Sequence, residues 1–505
     1  MPNPLFDALF APHLDRETPF LIMDGTDDLT HGAFLREASR YAHTLVAMGL
    51  APGDRLAAQV DKSPEALAVY AACIMAGVVF LPLNTGYTHL EVDYFIENSG
   101  ARLVLGRADA LDELHRDCNR MGVRFETLEA DGSGSFPEAA TFQPTHFDPV
   151  DRDAEDVAAL LYTSGTTGLS KGAMLSHRNL LSNTEVLTEY WRFSSDDVLI
   201  HALPIFHTHG LFVASNIALL SGAAMIFLPR FNLDHVLAAL PRATTMMGVP
   251  TFYTRLLDHP DFTKDLCATM RLFISGSAPL LSETHRAFEE RTGHRILERY
   301  GMTETNMNSS NPYEGERRPG TVGFPLPEVE LKVTDPDTGE TLPTGEVGMI
   351  EVRGPNVFKG YWQMPEKTAE ELRADGFFIT GDLGTISEDG YVTIVGRSKD
   401  LVISGGFNIY PKDVEQVLDD LPGVLESAVI GAPHPDFGES VVAALVPEQG
   451  AVLDISDIEA GISAHLARFK QPRHYEILDE LPRNTMGKVQ KKKLRKTYKD
   501  VFKGS

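Results

Sequence analysis

Residues 162–172 read YTSGTTGLSKG. Thr163, Ser164, Thr166, Thr167 and Ser170 bring hydroxyls, Gly165, Gly168 and Gly172 bring an open backbone, and Lys171 brings a point charge. The apolar run Val157, Ala158, Ala159, Leu160, Leu161 just upstream reads as a buried strand. A strand running into a Gly/Thr/Ser loop is how a backbone wraps a polyphosphate. Amide N–H groups and hydroxyls donate, and glycine permits close approach. A plain surface loop rarely concentrates hydroxyls and a lysine directly after a buried strand. The spacing is not that of a Walker A loop, because Gly172 and not Ser or Thr follows Lys171. There is no GxGxxG fingerprint either, so a phosphate reading needs support elsewhere in the chain.

Three further stretches are too polar for their apolar flanks. LFISGSAPL (272–280) reads as a strand ending in Gly276, Ser277, Ala278 and Pro279. ERYGMTET (298–305) carries Glu298, Arg299, Tyr300, Gly301, Met302, Thr303 and Glu304. TGDLG (380–384) places Asp382 in what reads as a tight turn. Thr303 and Glu304 are hard oxygen donors of the kind Mg²⁺ takes beside phosphates. Asp382 could accept the hydroxyls of a ribose. Each is weak alone, since a turn aspartate is usually only a turn residue.

Together, YTSGTTGLSKG, SGSAPL, ERYGMTET, TGDLG, GRSKDLVISGGFNIYP and PRNTMGKVQ stand in an order that resembles the adenylate-forming superfamily. That group includes acyl-CoA synthetases, peptide-synthetase adenylation domains and beetle luciferases. The resemblance spans essentially the whole chain. It implies a two-step reaction: a carboxylate attacks the α-phosphorus of ATP to give acyl-AMP and pyrophosphate, and CoA thiol then attacks the acyl-AMP. It also implies Mg²⁺, with ATP and CoA as co-substrates. Thr163, Ser164, Gly165, Thr166, Thr167, Gly168 and Lys171 match the phosphate loop. Ser277, Ala278 and Pro279 flank adenine and the acyl group. Glu298, Arg299, Tyr300, Gly301 and Met302 belong to the nucleotide site, with Tyr300 stacking near adenine. Thr303 would touch the α-phosphate and Glu304 would help hold Mg²⁺. Asp382 and Arg397 match the ribose pair, Lys399 the hinge, and Gly405 and Gly406 the glycines beside the CoA channel. Lys488 matches the lysine that bridges carboxylate and α-phosphate. Joining two anions requires cations and positioning rather than a nucleophilic triad.

The acid must be read between the motifs. GVPTFYTRLL (248–257) places Arg255 on an early helical turn near the acyl pocket, and IFHTHGLF (205–212) places His207 and His209 two apart. In a strand, that spacing points both rings to one face. A buried arginine there would need an anionic partner, and the second carboxylate of a dicarboxylic acid would supply one. HTHGLFVASN, MMGVPTFYTRLL, ERYGMTETNMN and PRNTMGKVQK resemble malonyl-CoA synthetases, which implies malonate, with methylmalonate as a second substrate. Arg255, His207, His209, Ser277 and Met302 are the expected acid-binding residues. The rival readings are a ligase for another short acid, transfer to a carrier-protein thiol, a non-catalytic adenylate-binding regulator and an oxidative luciferase.

The elements that must position these residues alternate helix and strand over 30–84 and 155–230, which predicts an α/β fold. The expected architecture is a large N-terminal domain (1–397) of mixed and parallel sheets flanked by helices, including a β-rich subdomain over about 327–396. A small mobile α+β domain over 398–505 completes it. At 505 residues the chain exceeds one core. A net charge of −26 disfavours nucleic acid or an anionic membrane as partner. The small-molecule partners are those the resemblance implies, and a site for a polyanion on so acidic a body must be locally positive. Cys73, Cys118 and Cys267 lack metal spacing and fit a reducing cytoplasm. Ala66–Leu83, the longest apolar run, is cut by Gly77 and Pro82 and reads as helix then strand, not a membrane span. The basic residues from Lys488 to Lys503 read as a solvated end, Lys488 excepted.

Overall fold

Ser63 caps the helix Pro64–Ala76 by accepting the Ala66 N–H, Pro64 presets its first turn, and Gly77 (φ +69°) ends it in the left-handed region. The strand Val79–Pro82 follows at once. Helix then strand is therefore how the longest apolar run folds, and both pieces are buried. No helix among the described residues is long and apolar enough to cross a membrane. The computed structural model describes residues 2–503, apart from 24, 26, 109–110, 164–169, 405–406, 435–436, 467 and 485–486.

The described residues form four sheets. One has six strands and is parallel except for its last pair, Val157–Thr163 and Lys171–Ser176, which run antiparallel around the Gly/Thr/Ser loop. A second has nine strands, with a parallel centre from Pro19–Ile22 to Leu297–Met302 and antiparallel pairs at both edges. Helices such as Pro64–Ala76 are buried against these sheets in one continuous apolar core. The third sheet is four antiparallel strands between Glu330 and Arg397, where turn-rich sequence predicts a β-rich unit.

The fourth sheet lies between Val402 and Ile477. Its central strands bury both faces by simple alternation. Val429, Val441, Ala443 and Leu445 pack toward helices Pro411–Asp419 and Ile455–His465. Ala428, Ile430, Val442 and Ala444 pack with Leu481, Leu494 and Phe502. The basic C-terminal stretch is thus more than a solvated end. Its helix Lys491–Tyr498 buries Leu494, Lys491 pairs with Glu415 at 2.5 Å, and Arg495 pairs with Asp400 at 2.8 Å.

Candidate active site

The nine-stranded sheet aligns its strand ends. His201 is in register with Met247, Gly248 with Ser275, and Ser275 with Glu298. The residues that follow these carboxyl ends form one crevice, the usual place for ligands in open parallel sheets.

At the phosphate end, Thr163 and Lys171 are paired directly across the two strands that carry the loop. Ser164, Gly165, Thr166, Thr167 and Gly168 lie outside the described residues. Thr163 Oγ1 donates to Glu304 Oε1 at 3.3 Å, and the Tyr361 hydroxyl lies 3.2 Å from the same oxygen. Glu304 sits in a tight turn, 5% exposed, and makes no ion pair among the described residues. A buried carboxylate held only by long hydrogen bonds has donor capacity left for a divalent cation. Lys171 is buried and gives its charge to Glu371, 3.1 Å from both oxygens.

At the sugar end, Asp382 is not in a turn. It lies inside the strand Phe378–Ile386, after Gly381 at φ +72° and just before a register shift. A left-handed glycine lets the chain re-aim without ending the strand. Arg397 Nε donates to Asp382 Oδ1 at 2.6 Å, and the Tyr300 hydroxyl donates to Oδ2 at 2.5 Å. The Asp382 carboxylate raises the pKa of Arg397. Burial, and then Asp382, raise that of Tyr300, which stays a neutral donor. Lys399 follows in a 3-10 turn, Ser398–Asp400.

The acid end differs most from the sequence reading. His207 and His209 are not on a strand, because the strand ends at His201 and a π-helical stretch runs from His209 to Ser215. A Cβ on Gly210 would meet the Pro204 carbonyl oxygen at 2.0 Å, so glycine is required for this close turn. Both histidines are neutral. Burial, then Lys488 and Arg299, lower His207 to about 3. Burial and then Arg299 hold His209 well below its usual range. His209 Nδ1 is 3.3 Å from the Ser277 hydroxyl, and Ser277 is strained at φ +69°.

The buried arginine of this region is not Arg255. Arg255 is exposed on helix Pro250–Leu257, with its guanidinium 5.9 Å above the Phe231 ring. Arg299 is the buried one, at 3% exposure. Its guanidinium lies against Gly276, where a Cβ would meet it at 2.3 Å. Arg299 Nε and Nη2 have no hydrogen-bond partner among the described residues. Burial lowers its pKa to about 9, which still leaves it charged at neutral pH. Two unpartnered donors on a buried cation are costly unless a ligand anion completes them. Glu298 has a structural contact: its Oε1 accepts the Leu280 N–H and so braces the Ser277–Pro279 turn. Burial raises Glu298 to about 7.

Lys488 reaches the crevice from the C-terminal part. The Asn484 side chain accepts the Lys488 N–H at 2.9 Å, and Gly487 (φ +75°) lies beside Thr251. The Lys488 surface is open to the cleft, yet protein surrounds the cleft. That burial, and then Arg397, lower its pKa to about 8, against the pull of Asp382 and Glu304. Gly405 and Gly406 lie outside the described residues.

Sequence reasoning missed four residues around the crevice. Tyr361 and Glu371 complete the phosphate end. Lys62 Nζ donates to the carbonyls of His201 (2.7 Å) and Leu228 (2.6 Å) and lies 2.8 Å from His201 Nδ1. His201 Nε2 in turn lies 2.9 Å from the Gly210 carbonyl, at the start of the π-helical stretch. Their partners are distant in sequence, and only an unusually charged or aromatic residue within an apolar segment hinted at them.

A buried carboxylate beside Thr163, an aspartate–arginine pair, a buried arginine and a lysine reaching in from the C-terminal part are groups of the kind that adenylate-forming chemistry requires. The chain belongs to the AMP-binding enzyme family, which it matches over residues 11–362, with the family's C-terminal domain matching over 413–488. It is an ATP-dependent acyl-CoA ligase. It is 34% identical to malonate–CoA ligase of Arabidopsis thaliana, over 94% of this chain and 82% of that protein. It is 35% identical to feruloyl-CoA synthase of an Amycolatopsis species, over 98% of each. Among solved structures, MatB from Rhodopseudomonas palustris is 56% identical over the full length of both chains. The TM-score is 0.98 to its ATP-bound crystal structure and 0.86 to its apo form.

Proposed function

We propose that the acid is malonate, and that the enzyme makes malonyl-CoA, AMP and pyrophosphate from malonate, ATP and CoA through malonyl-AMP, with methylmalonate as a second substrate. The observation that carries this reading is Arg299: a buried guanidinium with free donors, beside Ser277, His209 and His207. A second carboxylate one methylene from the reacting one would complete those donors, whereas a fatty or aryl acid would leave them unsatisfied. The 56% identity to MatB supports the same reading. Among the other relatives a feruloyl-CoA synthase (35%) is as similar as a malonate–CoA ligase (34%), which makes the pocket the deciding feature.

In the first step a malonate oxygen attacks the α-phosphorus and pyrophosphate leaves. Lys488 offsets the repulsion between carboxylate and phosphate, and Thr303 contacts the α-phosphate. Asp382 and Arg397 orient the ribose, and Tyr300 lies by the adenine. Glu304 would hold Mg²⁺, which neutralises phosphate charge when bound. In the second step residues 398–505 turn at Lys399, and the thiol sulfur attacks the acyl carbon as AMP leaves. Pyrophosphate release measured with malonate, methylmalonate, succinate, acetate, propionate and ferulate, with and without CoA, tests the assignment. Malonate should be preferred, and a preference for any monocarboxylate ends this reading.

A further inference from the structure

Of the motif PRNTMGKVQ, the proposed mechanism uses only Lys488. The residues around it form a fold-back in which 482–484 pair with 487–490. Gln490 N–H donates to the Pro482 carbonyl at 2.7 Å, Arg483 pairs with Val489, and Asn484 N–H donates to the Lys488 carbonyl at 2.9 Å. Gly487 turns the chain just before Lys488, in the left-handed region at φ +75°. Leu481 and Val489 seat the two arms in the apolar cluster that holds Ala428 and Ile430 of the strand Val424–His434. Glu426 stands on the same face of that strand, because side chains two and four residues apart share a face.

Arg483 ties the fold-back to that face. Its Nη1 donates to the Gly487 carbonyl at 2.6 Å, and its Nη2 donates to Glu426 Oε2 in a partly buried ion pair. The guanidinium is a rigid planar fork, so two bonds in different directions fix both partners at once. The Gly487 carbonyl belongs to the same peptide unit as the Lys488 N–H, which the Asn484 side chain accepts at 2.9 Å. Both polar groups of that peptide are therefore held, and with them the plane from which the Lys488 side chain departs. We propose that Arg483 is a positioning residue for adenylation: by holding the Gly487–Lys488 peptide to Glu426, it aims the Lys488 ammonium into the crevice. A misplacement of about 1 Å can cost about a hundredfold in rate.

The proposal rests on the adenylation role of Lys488 and not on the identity of the acid. Its test uses whichever acid the wild-type enzyme adenylates fastest, with the matching acyl-AMP. Two rates are measured for wild type, Arg483→Met and Lys488→Ala: single-turnover pyrophosphate release, and thioester formation from CoA and supplied acyl-AMP. Arg483→Met should lose about tenfold to a hundredfold in the first rate and less than about twofold in the second. Loosened packing of the C-terminal part would lower both rates together. A loss in Lys488→Ala with none in Arg483→Met overturns the proposal alone, and so does an equal loss of both rates in Arg483→Met. An unchanged first rate in Lys488→Ala overturns the Lys488 assignment and the proposal with it. Should Arg483→Met lose its cooperative thermal transition, Arg483→Lys keeps the charge beside Glu426, but a single ammonium cannot reproduce the fork to Gly487. It should lose about threefold to tenfold in the first rate alone, and an unchanged first rate overturns the proposal equally.

Discussion

Asp382 and Arg397 stand directly opposite each other on neighbouring antiparallel strands, joined at 2.6 Å. Arg397 lies two residues before Lys399, so one ion pair ties the proposed ribose site to the proposed hinge. Asp382→Asn keeps the shape and removes the charge. It should raise the KM for ATP about tenfold or more, as expected for lost hydrogen bonds to a charged group. Steady-state kinetics with varied ATP checks this, and an unchanged KM in a folded variant removes Asp382 from the ribose role.

Lys488 should matter for the first half-reaction only. Lys488→Ala should abolish acid-dependent pyrophosphate release, yet still convert supplied malonyl-AMP to malonyl-CoA. Equal loss of both half-reactions would contradict a lysine that acts in one arrangement of the C-terminal part.

The same residue sets a pH limit. With its pKa lowered to about 8 by burial and Arg397, Lys488 is charged below that pH and loses its proton as pH rises through it. The kcat/KM of adenylation should therefore fall above about pH 8. Lys488→Arg keeps its proton throughout and should abolish the alkaline limb at whatever activity remains. A limb unchanged in that variant belongs to another group.

Lys399→Pro should separate the half-reactions in the opposite sense. Residues 398–400 already form a 3-10 turn, whose φ proline can adopt. The arrangement that brings Lys488 to the crevice should survive, while rotation about Lys399 is blocked. Single-turnover pyrophosphate release should persist and thioester formation should collapse. Normal CoA turnover would move the hinge elsewhere.

Arg299 should outweigh Arg255 in choosing the acid. Arg299→Met removes the buried cation and should cut malonate kcat/KM by about tenfold to a hundredfold. Acetate, which never uses that cation, should change little. Arg255→Ala, on an exposed face, should lose less. Equal losses for malonate and acetate in Arg299→Met would place Arg299 in the scaffold.

The fold was legible in the sequence because its signals are local. Ser63, Pro64 and Gly77 bracket a helix, and Val441, Ala443 and Leu445 alternate with Val442, Ala444 and Val446 along one strand. The nucleotide motifs were legible for a related reason. Thr163, Glu304, Asp382 and Lys488 each sit in a short polar run between apolar segments. The acid end was misread because period and burial there do not follow from neighbours. His207 and His209 leave the strand for a π-helical stretch, and the buried arginine is Arg299, not Arg255 as expected.

By itself, then, the sequence determined the α/β class, the order of the motifs and the chemistry their residue types permit. Tertiary structure alone decided which charges meet. Arg299 is buried because Gly276, 23 residues earlier, leaves no Cβ in its way. Lys171 finds Glu371 across 200 residues because segment 360–362 pairs with the strand that Lys171 begins. Such partners are fixed by strand register and close packing between distant segments, and no local pattern of residue types encodes them.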